Sequence, residues 1–158
     1  DVVSGAIDIG LVAYPAKRPG IVVIPFREDR LVLVCPPSHP LAKLRIVDLR
    51  RLQGQAFVGY DKDIPSRKET DKLLRRYDVE PRYVMELDNI DTIKRVVEIG
   101  RGVAILPEPA VRQEVRARAL VAVPFADEGF VRPLGMIHRQ GKLFSPAAEK
   151  FVELVRAR

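Results

Sequence analysis

The segment spanning residues 88–107, DNIDTIKRVVEIGRGVAILP, restricts the fold more than any other part of this chain. Ile93, Val96 and Val97 stand at the i, i+3, i+4 spacing of one helix face, while Lys94, Arg95 and Glu98 take the other. Asn89 precedes the periodic run and suits an N-cap, because its short amide accepts a hydrogen bond from the first turn. Gly100 and Gly102 supply the freedom to leave the helix and turn at once into a strand. Residues 103–106 are an unbroken apolar run, as in a strand covered on both faces, and Pro107 stops it. A helix feeding directly into a buried strand is half of a βαβ unit. Ligands in such sheets collect at strand carboxyl ends and helix N-termini, so the segment points to a small-molecule cleft.

The remaining pattern alternates strands with helices. Residues 6–14 place Ile7, Ile9, Leu11 and Ala13 on one side of a strand. Two further strands are expected at 21–26 and 31–35, separated by a polar turn at 27–30, before Pro36, Pro37 and Pro40 end the sheet. A short helix at 47–52 precedes a strand at 56–60. Ser66 opens S-R-K-E with Glu69 three residues on, the pattern of a capping box, and the following helix buries Leu73, Leu74 and Tyr77. After a strand at 82–87 and the segment above come a helix from Pro109 to about Ala117 and a strand at 120–125. A strand at 131–139 then places Pro133 at an edge or bend. A last helix, with Ser145 as cap and Pro146 at its first position, buries Phe151, Val152, Leu154 and Val155. The class is α/β. The closing strand and helix are expected to return to the first lobe, so the chain crosses between lobes near 57–60 and near 131–136. Two crossovers make a hinge that closes over a ligand.

Composition narrows the function. With 158 residues, 47% hydrophobic and 30% charged, the chain suits one soluble domain or two small lobes. No apolar run approaches the roughly 20 residues of a membrane span, and the single Cys35 fits a reducing cytoplasm. The net charge of +6 invites a nucleic-acid reading, but the basic residues are scattered beside acids and there is no Trp. Cys35 and His39 lie on either side of two prolines with no third group to orient the imidazole, and His138 is isolated from other ligand types. No phosphate-binding glycine loop or nucleophile elbow occurs. The expectation is therefore no catalytic residue, no metal and no cofactor.

The ordered pieces GAIDIGLV at 5–12, LVLVCPPSHPLA at 31–42, VDL at 47–49, the stretch at 86–107, and the closing strand with its SPAAEKF helix at 145–151 resemble the effector-binding domain of LysR-type transcriptional regulators. The resemblance implies two Rossmann-like subdomains joined by two crossover strands, a periplasmic-binding-protein-like fold of type II. Subdomain I would comprise 1–58 with 132–158, and subdomain II 59–131. It also implies a cytoplasmic homodimer or homotetramer, activator or repressor, with a small-molecule effector in the cleft. Operator DNA would be bound by an N-terminal helix-turn-helix that these residues do not include, and the domain's first strand and helix are likewise expected to be missing. The rival is a solute-binding protein of similar architecture serving a transporter.

The expected effector contacts are Tyr60, Ser66, Asn89, Gly102, Val103, Ala13 and Tyr14. Ser66 and Asn89 each read first as helix caps, and as ligand contacts because N–H groups at helix starts point to the cleft. Tyr60 ends a strand near the hinge, where its ring packs or its hydroxyl donates. Gly102 and Val103 serve backbone geometry or line the cleft, and Ala13 and Tyr14 end the first strand. Two helix N-termini aimed at one cleft favour an anionic effector.

Overall fold

Extended and helical segments follow one another as β1 (Ile9–Ala13), β2 (Ile21–Cys35), two 3-10 turns (Pro40–Lys43 and Leu49–Leu52), β3 (Ala56–Tyr60), α1 (Pro65–Arg76), β4 (Arg82–Leu87) and α2 (Ile90–Glu98). Then come β5 (Ala104–Pro107), a 3-10 turn (Glu108–Val111), α3 (Arg112–Arg116), β6 (Val121–Pro124), β7 (Val131–Arg139) and α4 (Pro146–Arg156). This computed structural model describes residues 1–156; the last two residues of the expected first subdomain lie outside the described residues.

The chain divides into two compact units, Asp1–Asp29 with Arg132–Arg158, and Arg30–Val131. The division at 29/30 differs from the 58/59 boundary expected from the sequence, and β2 is the reason. The polar stretch 27–30 is not a turn: β2 is one strand of 15 residues. Its charges do not break it because they find partners. Asp29, only 2% exposed, accepts from Arg132 Nη2 at 2.7 Å and lies 2.9 Å from Arg27 Nε. The second half of β2 pairs antiparallel with β5 on one side and β6 on the other, which carries residues 30–58 into the second unit.

In the first unit β7 lies between β1 and the first half of β2. Pro133 is tolerated in this central strand because β1 pairing stops at Ala13↔Leu134, one residue away, and the Pro133 carbonyl still accepts the Tyr14 N–H at 2.9 Å. The last helix departs from expectation: Val152 is buried, but Phe151 and Leu154 are 41% and 59% exposed. Together with Leu11 and Phe26 they line a shallow apolar depression.

The second unit is a sheet covered on both faces. Along β2 the residues Leu31, Leu33 and Cys35 enter one apolar cluster and Val32 and Val34 the other. β3 splits likewise between Phe57 and Val58, and β5 between Ile105 and Ala104 or Leu106. The first two 3-10 turns and α1, through Leu41, Leu52 and Leu74, fill the first face; α2, through Ile93 and Val97, and Val111 of the third turn fill the second. Near-continuous apolar strands are what two covered faces require.

Candidate functional site

β3 and β4 pair in parallel with Tyr60 opposite Leu87, so their carboxyl ends finish side by side. The Asp61 N–H ties the two ends by donating to the Leu87 carbonyl at 2.9 Å. A helix starts just beyond each end. Because each helix follows one of two parallel strands, both helix N-termini lie at this one edge, α1 packing on one face of the sheet and α2 on the other, and Tyr60, Ser66 and Asn89 are at it.

Asn89 is the α2 N-cap: its Oδ1 accepts from the Thr92 N–H at 2.9 Å, and its Nδ2 donates to Asp88. Ser66 is not a cap. Pro65 occupies the first helical turn with its φ already helical, so α1 starts two residues earlier than the S-R-K-E pattern suggests, with Ile64 in the cap position and no side-chain cap bond. Ser66 sits inside the first turn, half-buried. Asp61, Asp63, Asp88 and Asp91 flank the same helix starts. An anion here would depend on close contact with helix N–H groups, since the surrounding charge does not attract it.

Gly102 and Val103 are at the other edge. Val103 bridges Phe57 in parallel near the beginning of β3, and its N–H donates to the Ala56 carbonyl at 2.9 Å. A Cβ at Gly102 would stand 2.7 Å from that carbonyl oxygen, so the glycine serves a close backbone approach. The physical reason is direction. A helix that follows one parallel strand must carry the chain back to the amino ends of the strands before the next begins. The corner after α2 is therefore a whole strand away from Tyr60, and the end of β5 that shares Tyr60's edge is Pro107.

In the first unit Ala13 is the last residue of β1, and Tyr14 follows with a φ of 51°. Side chains other than glycine rarely adopt that conformation, and such residues cluster at ligand sites.

Sequence reading missed Arg67. Its side chain is 6% exposed, and its Nε lies 3.0 and 2.9 Å from the two Asp71 oxygens. Nη1 donates to the Tyr60 carbonyl and to Glu86 Oε2, both at 2.8 Å, and the guanidinium lies 3.6 Å from the centre of the Tyr83 ring. Tyr83 in turn donates to Asp71 at 2.7 Å. Burial pulls the Arg67 pKa down, but Tyr83, Asp71 and Glu86 outweigh it and the guanidinium stays charged. Burial, then the bond to Asp71, pushes the Tyr83 phenol up. The i, i+4 spacing of Arg67 and Asp71 was a visible signal. What hid the rest is a β-bulge: the register slips between Phe57 and Val58, so Tyr83 and Glu86, three apart, both reach Arg67 although simple alternation would oppose them.

Other chemistry-bearing groups have structural settings. Cys35 is fully buried, and burial lifts its thiol to about 11, which keeps it protonated. His39 Nδ1 caps a 3-10 turn by accepting from the Leu41 N–H. Lys94 bridges Glu114 and Asp91 at 2.8 and 3.0 Å, fixing α2 to α3. Among the described residues there is no group of three or more His, Cys, Asp or Glu placed to hold a metal ion, and no helix long and apolar enough to cross a membrane.

A parallel pair of strands with helices on both faces, entered and left by two chain crossings, is the architecture of a two-lobed, periplasmic-binding-protein-like ligand-binding domain of type II. Residues 1–158 match the family model described as the LysR substrate binding domain, and the chain belongs to that family. The RuBisCO operon transcriptional regulator of Allochromatium vinosum is 29% identical over 154 residues, covering 96% of this chain and 50% of that protein. The chain thus spans about half the length of the curated relatives it matches. Two solved structures share the fold. The regulatory domain of CcmR from Synechocystis PCC6803, in complex with 2-PG, has a TM-score of 0.89 and 22% identity, covering 99% of this chain and 75% of that one. The effector binding domain of QuiR in complex with shikimate has a TM-score of 0.88 and 18% identity, covering 99% and 74%.

Proposed function

We propose that this chain is the ligand-sensing part of a LysR-type transcriptional regulator and takes a small anionic effector at the carboxyl edge of β3 and β4. The observation that carries the reading is the convergence of two helix starts, at Pro65 and Asn89, on the ends of two parallel strands at Tyr60 and Leu87. Backbone N–H groups and the positive ends of two helix dipoles point where an anion would sit. Tyr60, Ser66 and Asn89, all within the second unit, are its contacts. Gly102 and Val103 are left out because of their place at the opposite edge. Shikimate, bound by the QuiR domain, is a carboxylate, which fits an anionic ligand class.

In the whole protein, operator DNA is bound by a part other than these residues, the effector alters that binding, and the regulator works in the cytoplasm as a homodimer or homotetramer. The relatives it matches are transcriptional regulators, which supports a regulatory role over an enzymatic one. The family match favours the regulator over a transporter's solute-binding protein.

A thermal-shift screen of the intact protein against 2-PG, shikimate, inorganic phosphate and sulfate tests the ligand class. A true effector at a hundred times its dissociation constant stabilises the fold by about 2.7 kcal/mol. Stabilisation by neutral metabolites alone would remove the anionic reading.

A further inference from the structure

We propose that Arg67 is a positioning residue for effector recognition: it fixes the first turn of α1 to the carboxyl ends of β3 and β4 without touching the effector itself. The inference rests on the reading of that edge as the effector site.

Three elements meet in one guanidinium. Nε holds Asp71 of α1 itself, while Nη1 holds the main-chain carbonyl of Tyr60, the last residue of β3, and Glu86 near the end of β4. Tyr83 covers the flat face and braces Asp71 from behind. No side chain caps α1, so these bonds supply the side-chain tie between its first turn and the strand ends. The cavity bounded by Tyr60, Arg67, Thr70 and Tyr83 is about 10 Å³, room for no more than one water. A ligand therefore does not reach Arg67 through it. What Arg67 controls is where the α1 N–H groups and the end of β3 stand relative to Asn89. A site made of backbone donors works only when its supporting shell holds the donors within a fraction of an ångström.

A cluster that merely stabilised the fold would leave the affinity of folded molecules untouched. The two cases separate in calorimetric titration of the intact protein with 2-PG, shikimate, inorganic phosphate and sulfate. The measurement is made at a temperature where circular dichroism shows each variant folded. Arg67→Lys keeps the charge but replaces the planar fork by one point donor, which cannot hold Asp71, Glu86 and the Tyr60 carbonyl together. It is expected to weaken whichever probe binds the parent by about tenfold, the scale on which outer-shell partners matter at metal sites. Glu86→Ala leaves Arg67 paired with Asp71 and removes only the β4 anchor, so it decides the matter should Arg67→Lys fail to fold. It is expected to weaken binding in the same direction, with the amide resonances of residues 66–68 displaced. Folded variants that bind as tightly as the parent overturn the inference alone. A parent that binds none of the four probes overturns the reading of the edge, and the inference with it.

Discussion

Ser66 and Asn89 share an edge but not a role. Asn89 is a cap whose Oδ1 is already engaged with Thr92, so what it presents to a ligand is the helix start it organises. Ser66 lies within the first turn of α1, after a proline, where a negative side chain interacts favourably with the helix dipole. Ser66→Asp is therefore expected to stabilise the free protein slightly, by about 0.3–1 kcal/mol. It should abolish binding of an anionic effector by placing a fixed charge in its way. Calorimetry with the screened anions checks this, and undiminished binding would mean that this turn does not face the ligand. A second residue-level pair sets the pH range of the α2–α3 contact. The Lys94 bond holds the Glu114 carboxyl below its ordinary 4.5, and Glu114 and Asp91 outweigh burial to hold Lys94 above its ordinary 10.5. A depressed acid stabilises the fold above its unfolded value and loses that contribution as pH falls through the folded one. A raised base does so below its unfolded value and loses it as pH rises. The stability gap between parent and Glu114→Gln, followed by urea midpoints, should be widest between these limits and close below pH 4.5.

At the scale of elements, much of the chain was legible. The helix at Ile90–Glu98 with its Asn89 cap, the buried strand ending at Pro107, and the strands Ala56–Tyr60 and Arg82–Leu87 stand where periodicity placed them. They were readable because local pattern and tertiary role agree. Three features were not. The polar run 27–30 looked like a turn, since only the fold brings Arg132 to Asp29. The cap of α1 was read at Ser66 instead of Ile64 because a capping-box pattern outweighed the proline. The bulge opposite Phe57/Val58 could not be seen, because a slip of register leaves no mark on one strand's own sequence. Gly102 stands where a close backbone approach requires a glycine. Gly102→Ala pushes a methyl onto the Ala56 carbonyl and is expected to cost about 1–3 kcal/mol by overpacking. Chemical denaturation would show this, while effector affinity of the folded protein stays within about twofold, a change of less than 1 kcal/mol. A large loss of affinity at parental stability would return Gly102 to the site.

Over the whole molecule, the resemblance carried by GAIDIGLV, LVLVCPPSHPLA and the 86–107 stretch agrees with the family match across residues 1–158. The site was only partly legible. Strand ends and helix starts are visible in a sequence, but which edge each one faces depends on the direction of the connecting chain. That is why Tyr60 and Asn89 lie at one edge and Gly102 at the other. An anion is proposed to occupy the carboxyl edge of β3 and β4, between the starts of α1 and α2. A crystal structure of the intact protein with the anion that stabilises it most in the thermal screen tests this directly. The anion's charged group is expected within hydrogen-bond reach of the backbone N–H of Ser66 or of Ile90 and Asp91, with Tyr60 beside it and Arg67 still bonded to the Tyr60 carbonyl. An effector bound at the Val103 edge, or away from both helix starts, would contradict it.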